Sequence, residues 1–114
     1  MIRQTDATKR GRASRNKGAN AERELANLLK NRGLDVRRGY VFQNESDIVG
    51  LKNIHPEVKR VEKLNIEKAM EQAIVEAVKR GDGVPTVFHR RDRGEWLVTM
   101  RLDEWVDLYK GASL

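Results

Sequence analysis

The sequence contains no cysteine and only two histidines, His55 and His89, among its 114 residues. The absence of cysteine excludes disulfide scaffolds, thiolate metal sites and cysteine nucleophiles. Two histidines argue against a zinc site with several histidine ligands, and a serine triad would need one of the two. The chemistry that remains open relies on carboxylates, lysines and arginines.

Long apolar stretches are also missing. No apolar run approaches the roughly 20 residues that a transmembrane helix needs, and the polar N-terminus is unlike a secretory signal. Hydrophobic residues make up 39% of the chain, charged residues 35% and aromatic residues only 5%. The composition predicts one small globular domain with a modest core, in a cytoplasmic protein that has no membrane partner.

Acidic residues are scarce at the N-terminus, where residues 1–18 contain six basic residues and one aspartate. This segment holds most of the net charge of +6 and has almost no apolar residues, which predicts a flexible basic arm before a single domain of residues 19–114. Such an arm can neutralise nucleic-acid phosphates and release counterions. A solubilising terminus and contact with an acidic membrane are the alternatives, but no apolar face accompanies the charge.

The hydrophobic periodicity predicts the element order α-β-β-β-α-β-β-α, which is typical of an α/β or α+β sandwich. Asn20 and Asn65 are the predicted N-caps of the first two helices, and Gly33 is predicted to end the first. The predicted helices span residues 19–32, 66–80 and 103–110, and the predicted strands span 34–41, 46–51, 55–62, 85–90 and 96–101.

Two acids and a lysine stand out between the first two helices. Glu57 and Lys59 are one residue apart on a predicted strand, so their side chains point to the same face. Asp47 begins the preceding strand, and a short hairpin would bring its carboxylate beside Glu57. The spacing alone is also consistent with purely structural roles. Asp47 could be an acid at a turn or strand start, and Glu57 and Lys59 could form a solvated ion pair on a strand face, which contributes little to stability.

The chemistry of this group is that of metal-dependent phosphodiester hydrolysis. Two carboxylates and a main-chain carbonyl, predicted to be that of Val58, are hard oxygen ligands suited to Mg²⁺, and we expect Mn²⁺ to substitute. A bound metal lowers the pKa of a coordinated water, and a nearby lysine can orient that water or stabilise charge on the phosphate. No small-molecule cofactor is expected.

Four stretches in order resemble the archaeal-type Holliday junction resolvases of the PD-(D/E)XK nuclease superfamily. They are KGANAERELANLLK at residues 17–30, GLDVRR at 33–38, SDIVG at 46–50 and PEVK at 56–59. The resemblance covers about residues 16 to 77. It implies a restriction-endonuclease-like α/β fold with a central mixed sheet flanked by helices, and a metal-dependent endonuclease that resolves Holliday junctions.

The resemblance also implies roles for individual residues. By position, Asp47 and Glu57 correspond to the metal-binding acids and Lys59 to the catalytic lysine. Glu22 corresponds to a helix-borne glutamate that completes the metal site, whereas helical periodicity does not choose between Glu22 and Glu24. Ser46, where the family often has proline, and Gln72 are weaker correspondences at the site. The residues expected to contact DNA are Arg10, Arg12, Arg15, Lys17, Arg23, Ser46 and Arg60.

A four-way junction has two scissile strands related by approximate two-fold symmetry, so a resolvase is expected to be a homodimer. Three alternatives remain open: a nuclease of the same fold that cuts other branched, nicked or terminal DNA, a DNA-binding module without catalysis, and an RNA-processing enzyme. The small size and the basic arm are typical of a phage or mobile-element protein.

Overall fold

The structure, a computed structural model, describes residues 4–112 and the side chains of residues 9–111. The predicted order of elements is confirmed. None of the helices in this part of the chain combines the length and the hydrophobicity needed to cross a bilayer. The elements are α1 (Gln4–Asn31), β1 (Arg37–Arg38), a 3₁₀ turn (Val41–Gln43), β2 (Ile48–Val49), β3 (Ile54–Arg60), α2 (Ile66–Arg80), β4 (Val84–Arg90), β5 (Leu97–Thr99) and α3 (Leu102–Ala112).

The sheet is mixed, as the fold class requires. β3 and β4 form a parallel ladder along their full length, and α2 is the crossover between them. β5 adds to the far side of β4 in the antiparallel direction, and β1 and β2 form a separate antiparallel pair. Parallel neighbours need such a crossover because a hairpin can only join antiparallel strands. The two longest strands, β3 and β4, therefore form the parallel part of the sheet.

Local signals define α2 closely. Its predicted bounds are those observed, and the predicted cap is confirmed because the Asn65 side chain accepts a hydrogen bond of 3.1 Å from the amide of Lys68. The buried face consists of Ala69, Ala73 and Ala77, whose small side chains let the helix pack closely against the sheet. After α2 the chain returns through the loop 81–83, which lies against the start of β3.

The main core joins α1 to the strands that precede and form the sheet. Its members share almost complete burial and come from α1, β2 and β3 and from the residue before β1, Val36. Partly buried leucines and the rings of Phe88 and Trp96 pack around them. The buried members are Ala21, Leu25, Ala26, Val36, Ile48 and Val58. Since the buried stripe of α1 begins at Ala21, the preceding turns of this helix extend beyond the core.

The structure corrects the predicted start of the first helix. α1 begins at Gln4 rather than near residue 19, so residues 4–18 of the predicted flexible arm are helical, while residues 1–3 lie outside the described residues. Asn20 is therefore not an N-cap, and its side chain accepts a hydrogen bond of 2.7 Å from Arg23 within the helix. Lysine, arginine and alanine are good helix formers, and extending an existing packed helix avoids the cost of nucleation.

The strands on both sides of the predicted aspartate are shorter than predicted, because the chain between them folds into a tight loop. The Gly39 amide donates to the carbonyl of Asp47 at 2.9 Å. A Cβ at Gly39 would lie 1.7 Å from the carbonyl oxygen of Ser46, so only glycine permits this approach. Glu45 closes the loop by accepting bonds of 2.9 and 2.6 Å from Arg37. These contacts fix the backbone that carries Asp47.

Candidate active site

Asp47 lies where the sequence predicted it, beside the strand that carries Glu57. Its Oδ2 accepts a hydrogen bond of 2.8 Å from the main-chain amide of Val58, which ties the residue before β2 to the middle of β3. The N–H and C=O of one strand residue point to the same edge. The carbonyl of Val58 is therefore on the edge of β3 that faces Asp47, which is the geometry expected of a main-chain ligand.

Glu57 and Lys59 share one face of β3, as their spacing predicted. The Lys59 Nζ lies 3.6 Å from Glu57 Oε1, and the two side chains are 27% and 10% exposed. A carboxylate this deeply buried needs a compensating charge. The lysine supplies part of that charge and remains accessible enough to reach a bound substrate.

A single cleft of about 480 Å³ brings the predicted acids and the lysine together. It is bounded on one side by the strand residues around Glu57 and on the other by one face of α1. The sequence-predicted members are Glu22, Asp47, Glu57, Val58, Lys59, Lys17 and Arg60, and the remaining lining residues are Ser14, Gly18 and Val61. The cleft is thus acidic at its base and basic at its rim.

The two acids at the base repel one another. Burial and, after it, the neighbouring charge of Glu57 together raise the pKa of Asp47 to about 7, while the hydrogen bond from the Val58 amide opposes the shift. An aspartate with such a pKa is destabilised when it is ionised. The site is therefore an oxygen-rich pocket short of positive charge, which is what a divalent cation would supply.

The donor set fits a Mg²⁺ ion held by two carboxylates and a carbonyl. Among the residues that the structure describes, no group of three or more histidine, aspartate and glutamate side chains is arranged to bind one metal. Glu22 lines the cleft, but its Oε2 accepts a bond of 2.8 Å from Arg38 Nε. Mg²⁺ usually keeps several waters and needs only one or two carboxylates from the protein. Asp47 and Glu57 with the carbonyl of Val58 meet that requirement.

Helical periodicity did not distinguish Glu22 from Glu24 as the site residue, but their positions in the structure do. Glu22 faces the cleft, whereas Glu24 faces the β4–β5 hairpin. Glu24 accepts two bonds of 2.7 Å from Arg90 and one of 2.9 Å from the indole of Trp96. It therefore joins α1 to the sheet, and Glu22 is the glutamate available to the site.

A partly buried polar cluster behind the cleft was not predicted from the sequence. Asp82, in the loop after α2, accepts a short hydrogen bond from the hydroxyl of Ser46 and lies 2.9 Å from Nδ1 of His55. His55 is 1% exposed, and its Nε2 lies 3.9 Å from Glu57. Burial alone would lower the pKa of His55, but the carboxylates of Glu57 and Asp82 raise it. Asp82 thus connects the segment that carries Asp47 to the segment that carries Glu57.

The remaining sequence-predicted residues occupy different positions. Arg10, Arg12 and Arg15 are exposed on the extension of α1, and Arg23 is exposed on the same helix next to Glu22. Ser46 lies outside the cleft, on an adjoining cavity of about 170 Å³ that Gln72 also lines together with Asp47 and Glu57. The hydroxyl of Ser46 is engaged by Asp82 rather than directed to the cleft.

We predict that Asp82→Ala lowers the metal affinity of the site, although Asp82 is not one of the proposed ligands. Ser46 and His55 lose their shared partner, so the segments carrying Asp47 and Glu57 are held less precisely. Loss of such supporting bonds typically lowers metal affinity by about 10- to 100-fold. The check is calorimetric titration with MnCl₂ of wild type, Asp82→Ala and Asp82→Asn, which keeps one acceptor. Equal affinities in folded wild type and Asp82→Ala would contradict this positioning role.

An aspartate beside one strand and Glu-x-Lys on the next, in a mixed α/β fold, are the marks of the PD-(D/E)XK nucleases. The predicted fold class is thus confirmed. The chain belongs to the archaeal Holliday junction resolvase (Hjc) family, whose model matches residues 13–108. This match confirms the family and the nuclease class that the sequence predicted, and it begins inside the basic segment. No match is found among the curated proteins.

Proposed function

We propose that this nuclease cuts four-way DNA junctions by Mg²⁺-dependent phosphodiester hydrolysis at the cleft of Asp47, Glu57 and Lys59. The observation that carries the proposal is the convergence of Asp47 and Glu57 in one cleft, where burial and then the charge of Glu57 raise the pKa of Asp47 to about 7. A cation between the two carboxylates relieves that repulsion. Mn²⁺ accepts the same oxygen ligands and is expected to replace Mg²⁺.

The metal would be held by Asp47, Glu57 and the carbonyl of Val58. When bound, it supplies a water of lowered pKa and neutralises charge on the attacked phosphate. The protein residues position this chemistry: the amide of Val58 holds one oxygen of Asp47 at 2.8 Å, which leaves the other oxygen for the metal. Glu57 is fixed on β3, which pairs with β4 along its full length.

Lys59 is the residue best placed to act on water and phosphate. Its ammonium group lies 3.6 Å from Glu57, so it is held at the edge of the metal site. There it can orient the attacking water and stabilise the negative charge that develops on the phosphate. Glu22 adds negative charge to the same cleft and can join the metal ligands when its bond to Arg38 opens.

The exposed arginines of α1 support binding to the DNA backbone. Arg10, Arg12 and Arg15 are exposed on the turns that extend beyond the core, and Arg23 follows on the same helix. Contacts of this kind position a protein on DNA without reading its sequence. We propose that the extended helix follows the backbone of one junction arm, and that the affinity falls as salt rises.

Two copies of the chain would be needed to cut the two strands of a junction. The helix α3 supports a homodimer because its side chains Leu102, Trp105 and Leu108 are exposed large hydrophobic groups. The exposed side chains of Leu97 and Val98 on β5 add to the apolar surface of the hairpin before α3. Exposed apolar clusters of this kind mark interaction surfaces.

The proposal is tested by cleavage of labelled DNA in Mg²⁺ and in EDTA. The substrates are a synthetic four-way junction, its matched linear duplex, a nicked duplex and a three-way branch, each with structured RNA as a competitor. We expect paired nicks at symmetric positions on the junction only, lost in EDTA. Equal cutting of the branched or nicked DNA would support a broader nuclease. Binding without cleavage in any divalent metal would support a DNA-binding module, and effective RNA competition would support RNA processing.

A further inference from the structure

Two cations at the rim of the cleft share one carboxylate oxygen. Lys17 Nζ lies 3.0 Å and Arg60 Nε lies 3.1 Å from Oδ1 of Asp92. The three residues come from different parts of the fold: α1, β3 and the turn between β4 and β5. Lys17 and Arg60 line the cleft together with the proposed catalytic residues, whereas Asp92 does not.

The backbone of the turn is fixed independently of this carboxylate. The amide of Asp92 donates to Glu62 at 2.8 Å, and its carbonyl accepts a bond of 2.6 Å from Arg90. Arg90 is itself held by the two bonds to Glu24. The Asp92 side chain can therefore leave its partners while the turn keeps its place.

The arrangement around Asp92 has the chemistry of a phosphate site. Two cationic groups from separate elements converge on a single anionic oxygen, as they do on an oxygen of a phosphodiester. The Asp92 side chain is 42% exposed. Exposed ion pairs contribute little to stability, so an incoming phosphate can replace the carboxylate at a small cost.

We propose that Lys17 and Arg60 form a binding site for one DNA backbone phosphate at the rim of the cleft, and that Asp92 occupies this site in the free protein as an internal phosphate mimic. DNA must displace the carboxylate before it contacts both cations. Asp92 thus weakens the binding of any DNA whose backbone enters this site. The inference rests on the proposed function only in taking DNA as the ligand.

The test measures binding, without cleavage, of a fluorescently labelled four-way junction in EDTA. Asp92→Asn keeps the size of the side chain and removes its charge. Asp35→Asn makes the same change of charge at an exposed aspartate outside the cleft, and is the matched control. We expect Asp92→Asn to lower the Kd about fivefold more than the control does, since removing an internal competitor releases two cations.

A second comparison separates the shared site from a general effect of charge. In a Lys17→Gln, Arg60→Gln background, Asp92→Asn should lower the Kd no more than Asp35→Asn does. A gain that persists in this background, or no gain over the control in wild type, would overturn the proposal. Asp92→Ala is expected to repeat the result of Asp92→Asn. Failure of wild type to cut DNA in Mg²⁺ would instead contradict the proposed function, and it leaves the binding comparison intact.

Discussion

Glu57→Gln is expected to lower the single-turnover rate of junction cleavage by a factor of about a thousand or more, because a metal site of this kind contributes several kcal/mol to the barrier. The substitution keeps the size of the side chain but removes the charge that Asp47 and Lys59 face in the cleft. Binding of the junction in EDTA should change little, since Glu57 is buried and does not reach the backbone of the DNA. The rates are measured with labelled junction and excess enzyme.

The matched control is Glu71→Gln, which makes the same change at an exposed position of α2 outside the cleft. This variant should cut at the rate of wild type. If Glu57→Gln also cuts within about tenfold of wild type, a factor that corresponds to only 1.4 kcal/mol, Glu57 is not a ligand of the catalytic metal.

Asp47→Asn is expected to abolish cleavage and yet to stabilise the metal-free protein at pH 8. The pKa of Asp47 is about 7 in the folded protein against an ordinary value of 3.8. Between these values the folded state holds a proton that the unfolded state releases, so stability falls as pH rises from about 4 to about 7 and then stays low. Asparagine escapes this penalty and can still accept the bond from the Val58 amide.

The expected gain is bounded by the size of the shift. Each pKa unit corresponds to about 1.4 kcal/mol, so the shift sets an upper limit, and because Asp47 is only partly buried we expect a smaller gain of about 2 kcal/mol. Urea unfolding in EDTA at pH 8 and pH 4.5 measures it. The advantage of Asp47→Asn over wild type should shrink at the lower pH. An equal or smaller advantage at pH 8 than at pH 4.5 would contradict the raised pKa of Asp47.

The raised pKa of Asp47 means that the proposed metal site destabilises the metal-free protein. The acids at the base of the cleft are poorly compensated until a cation binds, and binding then returns stability according to the metal concentration. Wild type should therefore gain more from added Mg²⁺ than Asp47→Asn does. Active sites commonly lower stability in this way.

Local signals in the sequence were enough for the order of elements and for α2. Asparagine at position 65, the alanine stripe and Gly81 define both ends and the buried face of this helix, and none of them depends on distant residues. The approach of Asp47 to Glu57 was also predictable, but the predicted hairpin was wrong, because β2 pairs with β1 and Asp47 reaches β3 through the bond from the Val58 amide. The resemblance to the resolvases then indicated that the two acids bind the metal of a nuclease.

Contacts between distant residues were not predictable from the sequence. Asp82 meets Ser46 and His55 across 36 and 27 residues, and no periodicity marks these partners. The choice between Glu22 and Glu24 depends on Arg90, which lies 66 residues after Glu24. The start of α1 was mispredicted for a different reason: a polar, basic composition is typical of flexible arms, but the same residues extend a helix that is already packed.

The most direct test of the metal site is an anomalous difference map from crystals soaked in MnCl₂, recorded near the manganese absorption edge. We expect one strong peak at the base of the cleft, within ligand distance of the carboxylates of Asp47 and Glu57 and of the carbonyl of Val58. The same soak of Asp47→Asn crystals should show no peak there. A wild-type map with no manganese between these two acids, or with manganese bound only elsewhere, would contradict it.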